Sequence, residues 1–128
     1  MDIWTIGEWV GKVGFLSIFI VYGIVHFVNR QALTGYAASK GVPAPAVSVV
    51  VAGLVMLAGS AMILLKWHAL WGVALLVAFA WPTAFIMHNF WTVTDPMARG
   101  NEMAHFLKDF ALGAGAILYG IAVHRGAF

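Results

Sequence analysis

Three histidines, a lysine and an aspartate interrupt the apolar stretches of this chain near one end of the bundle that those stretches would form. His26 lies near the end of the first stretch and His88 near the end of the third. The fourth stretch begins with His105, Lys108 and Asp109. An up-and-down path brings all of them to the same membrane face. Because ionisable side chains in membrane helices usually have a partner or a function, the spacing predicts a polar site there.

The chemistry that these residue types fit is the binding of a quinone. A quinone headgroup needs hydrogen-bond donors and a proton carrier near the membrane surface, and its tail needs an apolar gap between helices. Histidines titrate near neutrality, so they can pass protons. Lys108 would polarise a carbonyl oxygen and Asp109 would orient a histidine. The predicted substrate-binding residues are Tyr22, His26, His88, Trp91, His105, Lys108 and Asp109.

Other interpretations of the same residues stay open. Histidines at one depth on different helices also suit zinc or haem ligation, although no helix carries a His-x-x-x-His pair. A non-enzymatic accessory or assembly subunit of a larger membrane complex is another, because 128 residues leave little room for a complete active site. Each histidine alone can be a packed or snorkelling side chain, but a short carboxylate such as Asp109 needs a partner. The sequence thus specifies no cofactor with certainty: quinone is the first candidate and a metal or haem is the alternative. It also does not decide whether the protein is an enzyme.

Composition identifies the class of protein. Hydrophobic residues make up 62% of the chain and charged residues only 9%, against roughly 25% charged residues in soluble domains. The mean hydropathy is +0.91. Four apolar segments have the length of about 20 residues that a membrane helix needs. They predict an all-α integral membrane protein, a four-helix antiparallel bundle forming a single domain over residues 1–128, with spans at about 11–28, 46–65, 69–88 and 104–123.

The elements between and within these spans shape the predicted site. Residues 31–40 are too polar to span, and Gly41 and two prolines follow them, which predicts a short interfacial helix between helices one and two. This helix would partly cover the polar cluster. Pro82 is expected to kink the third span and open space inside the bundle. In the fourth span, Gly113 and Gly120 continue the stripe of Asp109 and favour close helix packing.

The remaining features limit the environment and the partners. The chain has no cysteine, which excludes disulfides and thiolate chemistry. Asp2 and Glu8 precede the first span in place of a basic leader, so this span is expected to remain as a helix. No basic run indicates nucleic acid. The lipid bilayer is the expected partner, while a redox or other membrane subunit and a homo-oligomer are left open.

Short motifs along most of the chain resemble the DoxX family of four-helix membrane proteins. They are GYAASKGVPAP at residues 35–45, HNFW at 88–91 and FLKD at 106–109, with Gly113 and Gly115 after the last. Lys12 stands where that family commonly has an arginine, and His26 where it frequently has a lysine. The order and spacing of the motifs carry the resemblance.

The resemblance implies a group that includes the small subunit of thiosulfate:quinone oxidoreductase and other bacterial inner-membrane proteins tied to redox or quinone stress. The location that it implies is the bacterial cytoplasmic (inner) membrane. By motif, it carries over His88, Lys108 and Asp109. Family members often have a glutamate several residues before the glycine that matches Gly53, whereas residues 49 and 50 are valines here. Asp109 stands where asparagine is frequent. The chain therefore lacks a carboxylate that the family often has in helix two, and it carries a carboxylate in helix four where the family frequently has an amide.

Overall fold

The computed structural model describes residues 1–128 and contains helices and no strands. Four helices are long and apolar enough to cross a membrane, and a shorter helix follows the first of them. A single turn of 3-10 helix covers Phe90–Thr92. The prediction of an all-α membrane bundle is confirmed. The five α-helices are α1 (Ile3–Val28), α2 (Arg30–Ser39), α3 (Pro45–Leu64), α4 (Ala69–Met87) and α5 (Pro96–His124).

The long helices pack mainly on the neighbours that follow them in the chain. α1 packs on α3, α3 on α4, and α4 on α5, while α1 and α5 meet through side chains, with Lys108 Nζ 5.6 Å from the centroid of the Tyr22 ring. Successive long helices are antiparallel, so the α1–α3 connection, which contains α2, and the α4–α5 connection lie at one membrane face, here called the α2 face. The α3–α4 connection lies at the opposite face.

Helix α5 begins well before the span predicted at residue 104. Asp95 caps its first turn by accepting a hydrogen bond from the Ala98 backbone nitrogen at 2.9 Å, and Pro96 occupies the first helical position. An acidic cap followed by proline favours helix initiation. The extra turns place Glu102 on the helix, three residues before His105 and seven before Asp109. These spacings put all three on one face of α5.

The bundle core is apolar and closely packed through small residues. A Cβ added to Gly72 would lie 2.7 Å from the Gly59 backbone oxygen, so only glycine allows this approach of α3 and α4. On α5, Gly113 leaves the space that the Trp81 indole of α4 occupies, and Trp81 Nε1 donates to the Phe110 carbonyl at 3.2 Å. The largest fully buried core side chains are Leu16, Phe19, Met56, Ile63 and Leu76.

Candidate functional site

A cavity of about 330 Å³ opens near the α2 face, with all five helices contributing to its wall. Its deeper part is apolar and its outer part carries ionisable groups. Pro82 lies inside α4 and faces the cavity. Six of the seven residues predicted from the sequence line this one cavity: Tyr22, His26, His88, His105, Lys108 and Asp109. The deeper apolar wall includes Phe19, Met56, Phe79 and Leu112.

His88 lies between two carboxylates. Its Nδ1 is 2.9 Å from Glu102 Oε2, and its Nε2 is 3.5 Å from Asp109 Oδ2. Because His88 ends α4 while both acids lie on α5, the imidazole joins the two helices. The ring also stacks on His105, with centroids 5.1 Å apart. Both ring nitrogens can donate at once only in the protonated imidazolium, so a proton taken up by His88 would be held by two anions.

Asp109 is a buried carboxylate with a different partner for each oxygen. Only 6% of the residue is exposed. Oδ2 faces His88, and Oδ1 is 3.4 Å from Lys108 Nζ. A buried carboxylate is tolerated when it is paired in this way. The arrangement fixes Asp109 between the His88 ring and the Lys108 ammonium group.

Lys108 lies on the cavity wall where α5 faces α1. Its side chain is 37% exposed, and its Nζ lies 5.6 Å from the centroid of the Tyr22 ring. Tyr22 belongs to α1 and Lys108 to α5, so this contact joins the two helices. The pair places one positive charge near one aromatic face on the cavity wall.

His26 is separate from the carboxylate pair. Its Nδ1 donates to the Tyr22 backbone carbonyl at 2.7 Å, within its own helix. The ring meets Phe79 edge to face, with centroids 6.1 Å apart. With Nδ1 donating, neutral His26 keeps an acceptor at Nε2. The cavity therefore has a second imidazole on its α1 side, separate from the His88 cluster.

Trp91 is the predicted site residue that does not line the cavity. It is half exposed and packs against the rings of Phe85, Phe90 and Phe106, with the Phe106 centroid 5.8 Å away. The 3-10 turn Phe90–Thr92 directs it away from the cavity, and this local turn was not visible in the sequence pattern. An aromatic cluster of this kind suits the membrane–water boundary.

Helix α2 covers the cavity at the α2 face. The Tyr36 hydroxyl donates to the Met87 carbonyl at 3.3 Å, and Lys40 Nζ donates to Asn89 Oδ1 at 3.0 Å. Burial raises the pKa of Tyr36 above its usual value, and the negative charge of Glu102 raises it further. The phenol therefore stays protonated at neutral pH and keeps its role as donor. Two hydrogen bonds thus hold α2 against the end of α4.

The sequence analysis does not identify Glu102 or the hydrogen bond of Tyr36 as parts of the site. Glu102 lies outside the predicted fourth span, although Asp95 and Pro96 are a helix-start signal that would extend α5 to include it. Tyr36 enters the sequence analysis only through the family motif. No group of three or more His, Asp or Glu side chains is arranged to hold a metal ion. Both nitrogens of His88 face carboxylates.

Comparison with known proteins gives one informative relative. No family model matches the chain, and no solved structure matches it. The chain is similar to Inner membrane protein YphA of Escherichia coli (strain K12), with 27% identity over 109 residues that cover 85% of this chain and 76% of the relative. Together with the four apolar helices, this similarity confirms the prediction that the chain is an integral protein of the bacterial inner membrane.

Proposed function

We propose that this chain is a single DoxX-like transmembrane domain that binds a quinone-type ligand in the cavity at the α2 face, as a subunit associated with membrane redox chemistry. The observation that carries the proposal is a largely apolar cavity with His88 held between Glu102 and Asp109 on its wall. A lipid-soluble ligand that exchanges protons requires both an apolar cavity and polar groups on its wall. The polar groups would bind the headgroup, and the apolar wall would contact the ring.

The size and the access route support a ligand from the bilayer. At about 330 Å³ the cavity lies within the range of roughly 300–1,000 Å³ found for small-molecule sites, near its lower end. A quinone ring therefore fits only if its isoprenoid tail lies elsewhere. α1 and α5 have fewer close backbone approaches than the other neighbouring long helices, so in this proposal the tail runs between them into lipid. In this orientation the ring would pass Tyr22 and Lys108 before it reaches His88.

The proton chemistry supports a role in quinone reduction or oxidation. Reduction of a quinone to a quinol takes up two electrons and two protons. In reduction, His88 can deliver one proton, and His26, after its Nε2 has taken a proton from water, can deliver the second on the α1 side of the ring; in oxidation, the neutral His26 Nε2 accepts a proton from the quinol. Lys108 is placed to stabilise negative charge on a carbonyl oxygen. The electrons must come from a redox partner subunit, because none of these side chains carries them.

A ligand-dependent melt of the detergent-solubilised protein tests this function. A short-tailed quinone at a hundredfold excess over its dissociation constant should stabilise the folded state by about 2.7 kcal/mol. His88→Ala and Lys108→Met should abolish the shift. His124→Ala, a histidine change at the opposite face, should leave it intact and serves as the matched control. If the wild type shows no shift at saturation, or if the variants keep it, the accessory or assembly role becomes the better description.

A further inference from the structure

The two carboxylates beside His88 contact its ring nitrogens at different distances. Glu102 Oε2 lies 2.9 Å from Nδ1, within the range of ~2.7–3.2 Å that N–H···O hydrogen bonds have. Asp109 Oδ2 lies 3.5 Å from Nε2, beyond that range. Since a neutral imidazole carries one N–H, the shorter contact assigns this proton to Nδ1. Nε2 then keeps its lone pair and is the nitrogen that can gain or lose a proton.

The two acids also differ in their other partners. Asp109 shares its charge with Lys108, whose Nζ lies 3.4 Å from Oδ1. Glu102 forms its one ion pair with His88. Because the ammonium group of Lys108 offsets part of the negative charge of Asp109, the imidazole meets the stronger field on the side of Glu102. Distance and charge therefore favour the same carboxylate as the partner of the permanent N–H.

Glu102 approaches the His88 ring from outside the cavity. His88 and Asp109 line the cavity wall, whereas Glu102 does not. Helix α5 has 29 residues, a length of about 43 Å at ~1.5 Å per residue, which exceeds the ~30 Å of hydrocarbon. Glu102 lies within its first two turns, and its side chain is 24% exposed. A carboxylate in this position can hold the imidazole without occupying the space of a ligand.

The other polar groups near the end of α4 have different partners. The Tyr36 hydroxyl and the Lys40 ammonium group of α2 donate to oxygens of the residues on either side of His88. The His105 ring stacks on the His88 ring with 23° between their planes. A hydrogen bond to a ring nitrogen lies close to the plane of the ring, so a stacked ring does not provide one. These groups therefore leave Nδ1 to Glu102.

We infer that Glu102, and not Asp109, is the positioning residue of the site: it fixes His88 as the Nδ1–H tautomer and so presents Nε2 to a ligand in the cavity. This inference rests on the proposed function and assigns its proton step to one atom. In quinone reduction, the Nε2–H bond of the imidazolium breaks and its electron pair stays on nitrogen. The proton forms an O–H bond on a quinone oxygen that the redox partner subunit has reduced. His88 returns to the neutral form, still bonded to Glu102 through Nδ1.

Nitrogen NMR of the purified full-length protein with isotope-labelled histidine tests this role without a ligand, because the chemical shift of a ring nitrogen shows whether it carries a proton. The spectrum of His88→Gln identifies the His88 signals by their loss. At a pH where the ring is neutral, wild-type His88 should carry its proton on Nδ1. Glu102→Ala should move this proton to Nε2, which faces the remaining acid. Alanine preserves α5, because it has the highest helix propensity.

Asp109→Ala is the matched control, since it removes the other carboxylate from the same ring. It should leave the proton on Nδ1. The inference is overturned if wild-type His88 carries its proton on Nε2, if Glu102→Ala leaves it on Nδ1, or if Asp109→Ala is the variant that moves it. The quinone melt fails separately, because the tautomer is measured in the ligand-free protein.

Discussion

At the scale of single residues, the carboxylate of Asp109 organises the cavity at the α2 face. Its two oxygens separate His88 from Lys108, which would otherwise present two positively polarised groups to each other. Glu102 shares His88 with Asp109, so the imidazole keeps one acid if the other is lost. Because His88 keeps a partner when either acid is removed, the loss of one carboxylate should lower the stability less than the loss of a sole partner would.

We predict that Asp109→Ala destabilises the protein by about 1–3 kcal/mol. Breaking a fully buried ion pair costs about 3–5 kcal/mol, but here Lys108 is partly exposed and His88 retains Glu102, so both partners can relax. Asp109→Asn should cost less, because the amide oxygen still accepts a hydrogen bond. Thermal melts of the purified variants measure both. An unchanged melt for Asp109→Ala would mean that water, and not the two side chains, solvates the carboxylate.

At the scale of elements, α2 acts as a cover whose attachment differs from that of the long helices. It packs on α3 and is tied to the end of α4 by the hydrogen bonds of Tyr36 and Lys40. Its residues are mostly exposed, with only Ala37 buried. A helix with few buried apolar contacts opens at low free energy. The cover can therefore move without disturbing the spans.

We predict that Tyr36→Phe combined with Lys40→Met increases the amide hydrogen exchange of α2 by about tenfold or more, because each lost hydrogen bond contributes about 1 kcal/mol. Exchange in α3 and α4 should stay at the wild-type rate. Arg30→Met, on the same helix and without an ion pair, is the control. If the exchange rate of α2 is the same in the double variant as in the wild type, packing and not these two hydrogen bonds holds α2 in place.

The sequence predicts these elements better than it predicts their contacts. Hydropathy locates the four spans, and the glycine and prolines after residue 40 locate the end of α2. The proximity of His88 and Asp109 follows from antiparallel packing. The contact of Lys66 with Glu8 joins residues far apart in the chain, and local periodicity carries no signal for it. The direction of the Trp91 side chain depends on a single 3-10 turn, and residue propensities do not specify such a turn.

At the scale of the whole molecule, the two faces of the bundle differ in charge. The α2 face carries carboxylates around a histidine, and at the opposite face Glu8 meets Lys12 and Lys66. α1 and α5 both line the cavity at the α2 face, and Lys108 of α5 lies near the Tyr22 ring of α1. Separation of these two helices would therefore widen the cavity toward lipid.

We predict that tethering α1 to α5 slows ligand binding to the cavity at the α2 face. The chain has no cysteine, so Phe15→Cys with Gly115→Cys gives one defined pair. A Cβ at Gly115 would lie 3.4 Å from the outer ring atom Cε2 of Phe15, so a short bifunctional thiol reagent can span the pair. Neither residue lines that cavity. Tethering should reduce the association rate of a short-tailed quinone by about tenfold, since the helices must separate for lateral access. The single-cysteine variants, each capped with a monofunctional reagent, should bind like the wild type. An unchanged rate in the tethered protein would instead place the ligand route beneath α2, where the Tyr36→Phe, Lys40→Met variant would then bind faster.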